Sequence, residues 1–233
     1  MYHFLKESVN LKSIFLNIVS QKPELSLNSD MEDDTYKTIS SPSRGIYREK
    51  GSRFISFAFP VSHQDEIKPI IESIRKEHHE ARHNCYAWML GQERTNWRVN
   101  DDGEPSGTAG KPILGQINSH GITNILIVVT RYFGGTLLGV SGLINAYRTS
   151  AATAIENAEV ISRTLQEYYE ITFPYNSMND VMKILKEENT GQSDQFFDTE
   201  CRIKVSFRAA SKDRILSRFL RVEGLKYGYI ETK

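Results

Sequence analysis

The run NILIVVTRYFGGTLLGVSG, from Asn124 to Gly142, decides the fold. Its first part, residues 124–132, holds the longest aliphatic stretch of the chain and reads as a buried strand. Residues 134–142 form a glycine-rich turn. A helix is expected to follow, to about Asn157, with Leu143, Tyr147, Ala151, Ala154 and Ala158 on one face. Strand, glycine turn and helix in that order describe a mixed α and β domain.

Working outward, residues 45–49 and 53–61 read as two strands joined at Lys50, Gly51 and Ser52. Residues 65–77 read as a helix with Ile67, Ile70, Ile71 and Ile74 along one side. Residues 85–90 form another strand, residues 100–110 a loop rich in glycine and acid, and residues 112–119 a short helix with Pro112 in its first turn. Downstream, residues 165–230 run strand, helix, strand, strand, helix, strand. That order is the ferredoxin-like signature. The fold class is α+β in two domains, 44–163 and 164–233. Residues 1–43 are expected to be an N-terminal extension and linker. They include a short amphipathic helix marked by Leu11, Ile14, Phe15 and Ile18, with a natural start near Met31.

Composition narrows the function classes. The 233 residues are 39% hydrophobic and 25% charged, ordinary for a soluble globular chain. Basic and acidic residues number 29 each, so no global field favours nucleic acid or an anionic membrane. Any anion site must be a local cluster. Cys85 and Cys201 are far apart, which disfavours a thiolate zinc site or a redox pair and fits a reducing compartment. The first alanine is Ala58 and the first arginine is Arg44, so neither a secretory nor an organelle leader is expected. The aliphatic run is too short to span a bilayer, and the chain is read as cytoplasmic.

Two segments carry candidate chemistry. In residues 101–112, Ser106, Gly107, Thr108, Gly110 and Lys111 precede a helix, whose unpaired amides and positive dipole end can hold an anion. The segment is not a Walker A loop, because Pro105 stands where that motif needs glycine and Pro112 where it needs a hydroxyl. The bland alternative is a tight loop that binds nothing. In residues 131–142, Arg131 lies beside Tyr132 and Phe133 ahead of Gly134 and Gly135. Arg131 would pair a phosphate while an aromatic ring stacks on a base. Otherwise Arg131 pairs a carboxylate and the rings are core. Adjacent strand residues point to opposite faces, so at least one of Tyr132 and Phe133 is expected to be buried. His79 and His83 would form a metal pair on a helix; otherwise they belong to a polar helix end that binds no metal. There is no nucleophile signature and no cofactor motif.

Together, the strings HNCYA (His83 to Ala87), GEPSGTAGKPIL (Gly103 to Leu114) and VTRYFGG (Val129 to Gly135), with Leu138 and Gly139, resemble the YigZ/IMPACT family. The resemblance covers roughly residues 44–233 and is closer to the bacterial YigZ-like layout than to eukaryotic IMPACT. It implies a first domain with the α+β fold shared by a ribosomal small-subunit protein and by domain IV of elongation factor G. It implies a second domain like the ferredoxin-like final domain of that factor. It further implies association with RNA or the ribosome, in a setting of translational control.

On this reading the protein is not an enzyme. Lys111, Arg131 and Arg148 contact phosphate, and the glycine turns let it approach the backbone. Arg148 is expected to lean away from the core, one position past Tyr147. The rival is an enzyme or sensor in which residues 102–111 hold a phosphorylated metabolite or nucleotide, with Asp101 or Glu104 on magnesium. A third reading gives the C-terminal unit a protein partner along residues 193–198, where Phe196 and Phe197 lie.

Overall fold

The computed structural model describes residues 34–233. The helix expected around Leu11 to Ile18 and the start near Met31 lie outside the described residues.

The first sheet has five antiparallel strands in the order β2-β3-β6-β4-β5. These are β2 (Ser43–Glu49), β3 (Ser52–Pro60), β6 (Ile125–Tyr132), β4 (His83–Leu90) and β5 (Asn96–Asn100). The aliphatic strand β6 is central, and all of it but Tyr132 is buried. The two-residue period of a strand sends its alternate side chains to separate cores. Ile127 and Val129 pack with Phe54, Ala87 and Cys85 beneath helices α2 (Gly110–Ser119) and α3 (Gly139–Glu156). Leu126 and Val128 pack with Trp88 and Leu90 under helix α1 (Ile67–Glu77), through Ile67, Ile71 and Ile74. Helices on both faces explain why the strand is apolar throughout instead of alternating.

The chain then forms β8 (Gln166–Pro174), α4 (Met178–Glu187), β9 (Gly191–Phe196), β10 (Glu200–Arg208), α5 (Lys212–Phe219) and β11 (Lys226–Thr232). The strands pair antiparallel in the order β11-β8-β10-β9. Alternating Ile171 and Phe173, with Ile203 and Val205, close on Val181, Leu185, Ile215 and Phe219 of the two helices. α5 ends at Phe219.

Three strands had no counterpart in the sequence reading. β1 (Thr35–Ile39) pairs with β7 (Val160–Thr164) as a separate two-stranded sheet. β5 adds a polar edge to the five-stranded sheet. Just before β1, the buried Asp34 carboxylate accepts from the Arg208 guanidinium at 2.6 and 3.1 Å and from the Ala210 amide. The guanidinium holds this carboxyl below the usual carboxylate range.

One expected geometry is corrected. His79 and His83 do not share a helix. α1 stops at Glu77, and His83 opens β4, where its Nδ1–H donates to the Asp102 carbonyl at 2.8 Å. Among the described residues no group of three or more His, Cys, Asp or Glu is placed to hold a metal ion. No helix among them is long and apolar enough to cross a membrane.

Candidate functional site

The loop before α2 is organised by Asp101. Its carboxylate accepts the amides of Gly107 at 2.8 Å, Ala109 at 3.1 Å and Gly110 at 2.8 Å. The anion that the helix start attracts is therefore supplied by the chain itself. Ser106 and Lys111 are exposed, while Thr108 is buried and donates its hydroxyl to the Pro105 carbonyl. A Cβ on Gly110 would lie 2.9 Å from the backbone nitrogen of Asn100, so this glycine serves the packing of α2 on β5. Asp102 accepts from the Asn84 amide and pairs with Arg75 at 2.7 Å.

Glu104, from the same loop, reaches under the end of β6. There it pairs with Arg131 at 2.7 Å and accepts from the Tyr147 hydroxyl at 2.8 Å. Cys85 donates to that hydroxyl and to the Asp101 carbonyl. Burial pushes both the Cys85 thiol and the Tyr147 phenol far up. Arg131 thus pairs a carboxylate, the bland alternative of the sequence reading, and its guanidinium lies between the rings of Phe54 and Phe133 at 5.4 and 5.7 Å. Its Nε is buried without a hydrogen-bond partner.

Above this pair opens a groove of about 380 Å³. Phe133, Leu137, Leu138, Val140 and Leu143 give it an apolar lining, which Arg82, His83 and Pro105 complete. Leu137 is 83% exposed and Phe133 47%. Tyr132 points to the opposite sheet face, half-buried under Arg53, and binds His78 through its hydroxyl. Neither aromatic is fully buried.

Gly134 and Gly135 behave differently. A Cβ on Gly134 would fall 1.9 Å from the carbonyl carbon of Gly51, so this glycine seats the β2–β3 turn. Gly135 has a φ of +86° and nothing within 4 Å of its would-be Cβ. Arg148 is exposed on α3, past the buried Tyr147. The fold therefore brings Arg131, Phe133 and Glu104 to one groove, while Lys111 and Arg148 do not line it. Arg82, Leu137 and Val140 were not singled out from sequence. Their signal was only that they flank HNCYA and VTRYFGG.

A five-stranded sheet between helices, with an ion-paired groove at the end of its central strand, defines a mixed α/β class. The model of the Impact N-terminal domain matches residues 50–155. IMPACT family member YigZ of Escherichia coli (strain K12) is 35% identical over 147 residues, 62% of this chain and 72% of that protein. IMPACT family member YvyE of Bacillus subtilis (strain 168) is 38% identical over 136 residues, 58% of this chain but 63% of that protein's length. A crystal structure of a hypothetical protein superposes with a TM-score of 0.64 at 30% identity, covering 85% of this chain and 98% of that one. The chain belongs to the IMPACT family.

Proposed function

We propose that the protein is a cytoplasmic, non-enzymatic factor that binds RNA, on the ribosome or free, in the control of translation. The observation that carries this reading is the exposed Phe133 ring on a groove shared with Arg82 and the Arg131–Glu104 pair. A flat ring beside guanidinium groups suits an unpaired base, which stacks while its phosphates meet cations. Binding is favoured over catalysis because the nearby thiol is buried with its pKa raised and the nearby carboxylates are already paired. A small phosphate ligand on residues 102–111 would have to displace Asp101 from the amides.

The domain assignment is part of the same proposal. The β11-β8-β10-β9 order supports a ferredoxin-like unit over residues 164–233, and the five-stranded sheet supports the translation-factor-like fold over 44–163.

Co-sedimentation with ribosomes across a salt series tests the reading. The protein is expected to migrate with a ribosomal peak that fades as salt rises. Phe133→Ala is expected to weaken RNA binding about tenfold, the effect of one lost stack. A protein that stays at the top of the gradient at low salt overturns the proposal.

A second reading is favoured by β9, which is exposed along its whole length, with Phe196 58% and the adjacent Phe197 46% exposed. An open edge with two aromatic side chains is a template for a protein partner. Cross-linking that yields only monomer argues against it.

A further inference from the structure

The face of the first sheet that carries α1 is covered only in part. At the β2 edge, Arg44, Ile46 and Arg48 alternate onto this face, and Ile46 stays 48% exposed between the two arginines. Arg53 joins them from β3. Arg48 and Arg53 are direct cross-strand partners, and Arg53 is in turn paired with Tyr132 of β6. The Arg53 guanidinium lies 4.5 Å from the Tyr132 ring centre, and the Arg44 guanidinium lies 5.4 Å from that of Phe57.

Like charges set directly opposite on a sheet repel. A neighbouring acid would normally relieve them. Here no Asp or Glu occupies a position of this face on β2, β3 or β6. Glu49 falls on the other side and accepts from the Tyr47 hydroxyl. Among the described residues none of Arg44, Arg48 and Arg53 has an ion-pair partner. All three arginines are exposed residues, and two of their guanidinium groups lie over rings. In a chain of zero net charge this is a local cationic platform with aromatic backing.

We propose that this face, Arg44, Arg48 and Arg53 over Phe57 and Tyr132, is the track for the phosphate backbone of single-stranded RNA. Four residues along β2 set Arg44 and Arg48 roughly 13 Å apart, a span that reaches separate, non-adjacent phosphates of an extended strand rather than one compact anion. An exposed guanidinium fixed over a ring loses little further freedom on pairing with phosphate. A polyanion bridging Arg48 and Arg53 also removes their mutual repulsion. This assignment rests on the RNA-binding function proposed above and gives it a surface distinct from the Phe133 groove, on the opposite face of β6.

The experiment uses the full chain and a fluorescein-labelled oligouridine, with anisotropy read over a salt series. Each lost contact to a single strand is expected to reduce the slope of log K against log salt by about 0.7. The Arg48→Gln/Arg53→Gln variant should therefore lose about 1.4 in slope, and adding Arg44→Gln should bring the loss to about 2. Arg48→Lys/Arg53→Lys keeps the charge and should keep the slope, which separates a lost contact from a misfolded sheet. A triple Gln variant that binds with unchanged slope, while Phe133→Ala still weakens binding, overturns the surface and leaves the RNA function standing. Wild-type protein that binds no RNA overturns both. Unchanged oligouridine binding with lost co-sedimentation on ribosomes would assign the face to a protein partner and overturn the RNA track.

Discussion

Arg131 and Glu104 meet at 2.7 Å with side-chain exposures of only 7% and 4%. One comes from the central strand and the other from the loop before α2, so the pair ties that loop to the sheet beneath the groove. Arg131→Met should destabilise the fold by about 3–5 kcal/mol, because it strands a buried carboxylate. In urea unfolding the double variant Glu104→Leu/Arg131→Met should cost less than the sum of the two single variants. Additive losses would mean the pair is not coupled.

Asp101 stands where a ligand phosphate was expected. Asp101→Ala leaves the amides of Gly107, Ala109 and Gly110 without their acceptor. A loss of about 2 kcal/mol is expected from a cap bonded through a charged group. The emptied helix start should then accept inorganic phosphate. Thermal unfolding should show a larger phosphate-dependent rise in Tm for Asp101→Ala than for the wild type.

Gly134 and Gly135 can be separated experimentally. Gly135→Ala meets open space but keeps a left-handed φ of +86°, which costs roughly 1–2 kcal/mol. Gly134→Ala drives a methyl into the backbone of Gly51 and Ser52, and such overpacking costs about 3 kcal/mol or more. The Tm should fall further for Gly134→Ala, by roughly 2–4 °C per kcal/mol in a chain of this size.

Asp34 sets an acid limit. Its carboxyl is held below the ordinary value by Arg208, so the folded state binds this proton less readily than the unfolded chain. The resulting stability is present above the ordinary Asp value, about pH 4, and is lost as pH falls through the lower folded one. Stability measured from pH 6 to pH 2 should fall less steeply in Asp34→Asn than in the wild type.

The hydrophobic period made much of the fold readable. The β6 run, the Ile67 to Ile74 stripe and the βαββαβ order all have cores beneath them. The strands β1, β5 and β7 did not show. Each is only five residues long, β5 and β7 are mostly exposed and β1 buries only its last two residues, so the pairing is set by a partner elsewhere in the chain and not by an apolar alternation of its own. The site was legible only as residue types. Glycines ahead of a helix say that amides are open to something, but not that Asp101, six to nine residues upstream, already fills them. Arg44, Arg48 and Arg53 form a group only once the hairpin register and the reach of α1 are known.

β1 pairs with β7, and their facing ends, Ile39 and Val160, are about 120 residues apart in the chain. On a ribosome adding about 5–20 residues per second, β1 waits roughly 6–24 s for its partner to be made. Ile39, wholly buried in the finished protein, stays without that cover until then. The five-stranded sheet and its helices are therefore closed late, by a clasp whose second half is the strand that immediately precedes β8. Fragments ending before residue 160 should emerge with that clasp open and be selectively vulnerable to proteases near their start.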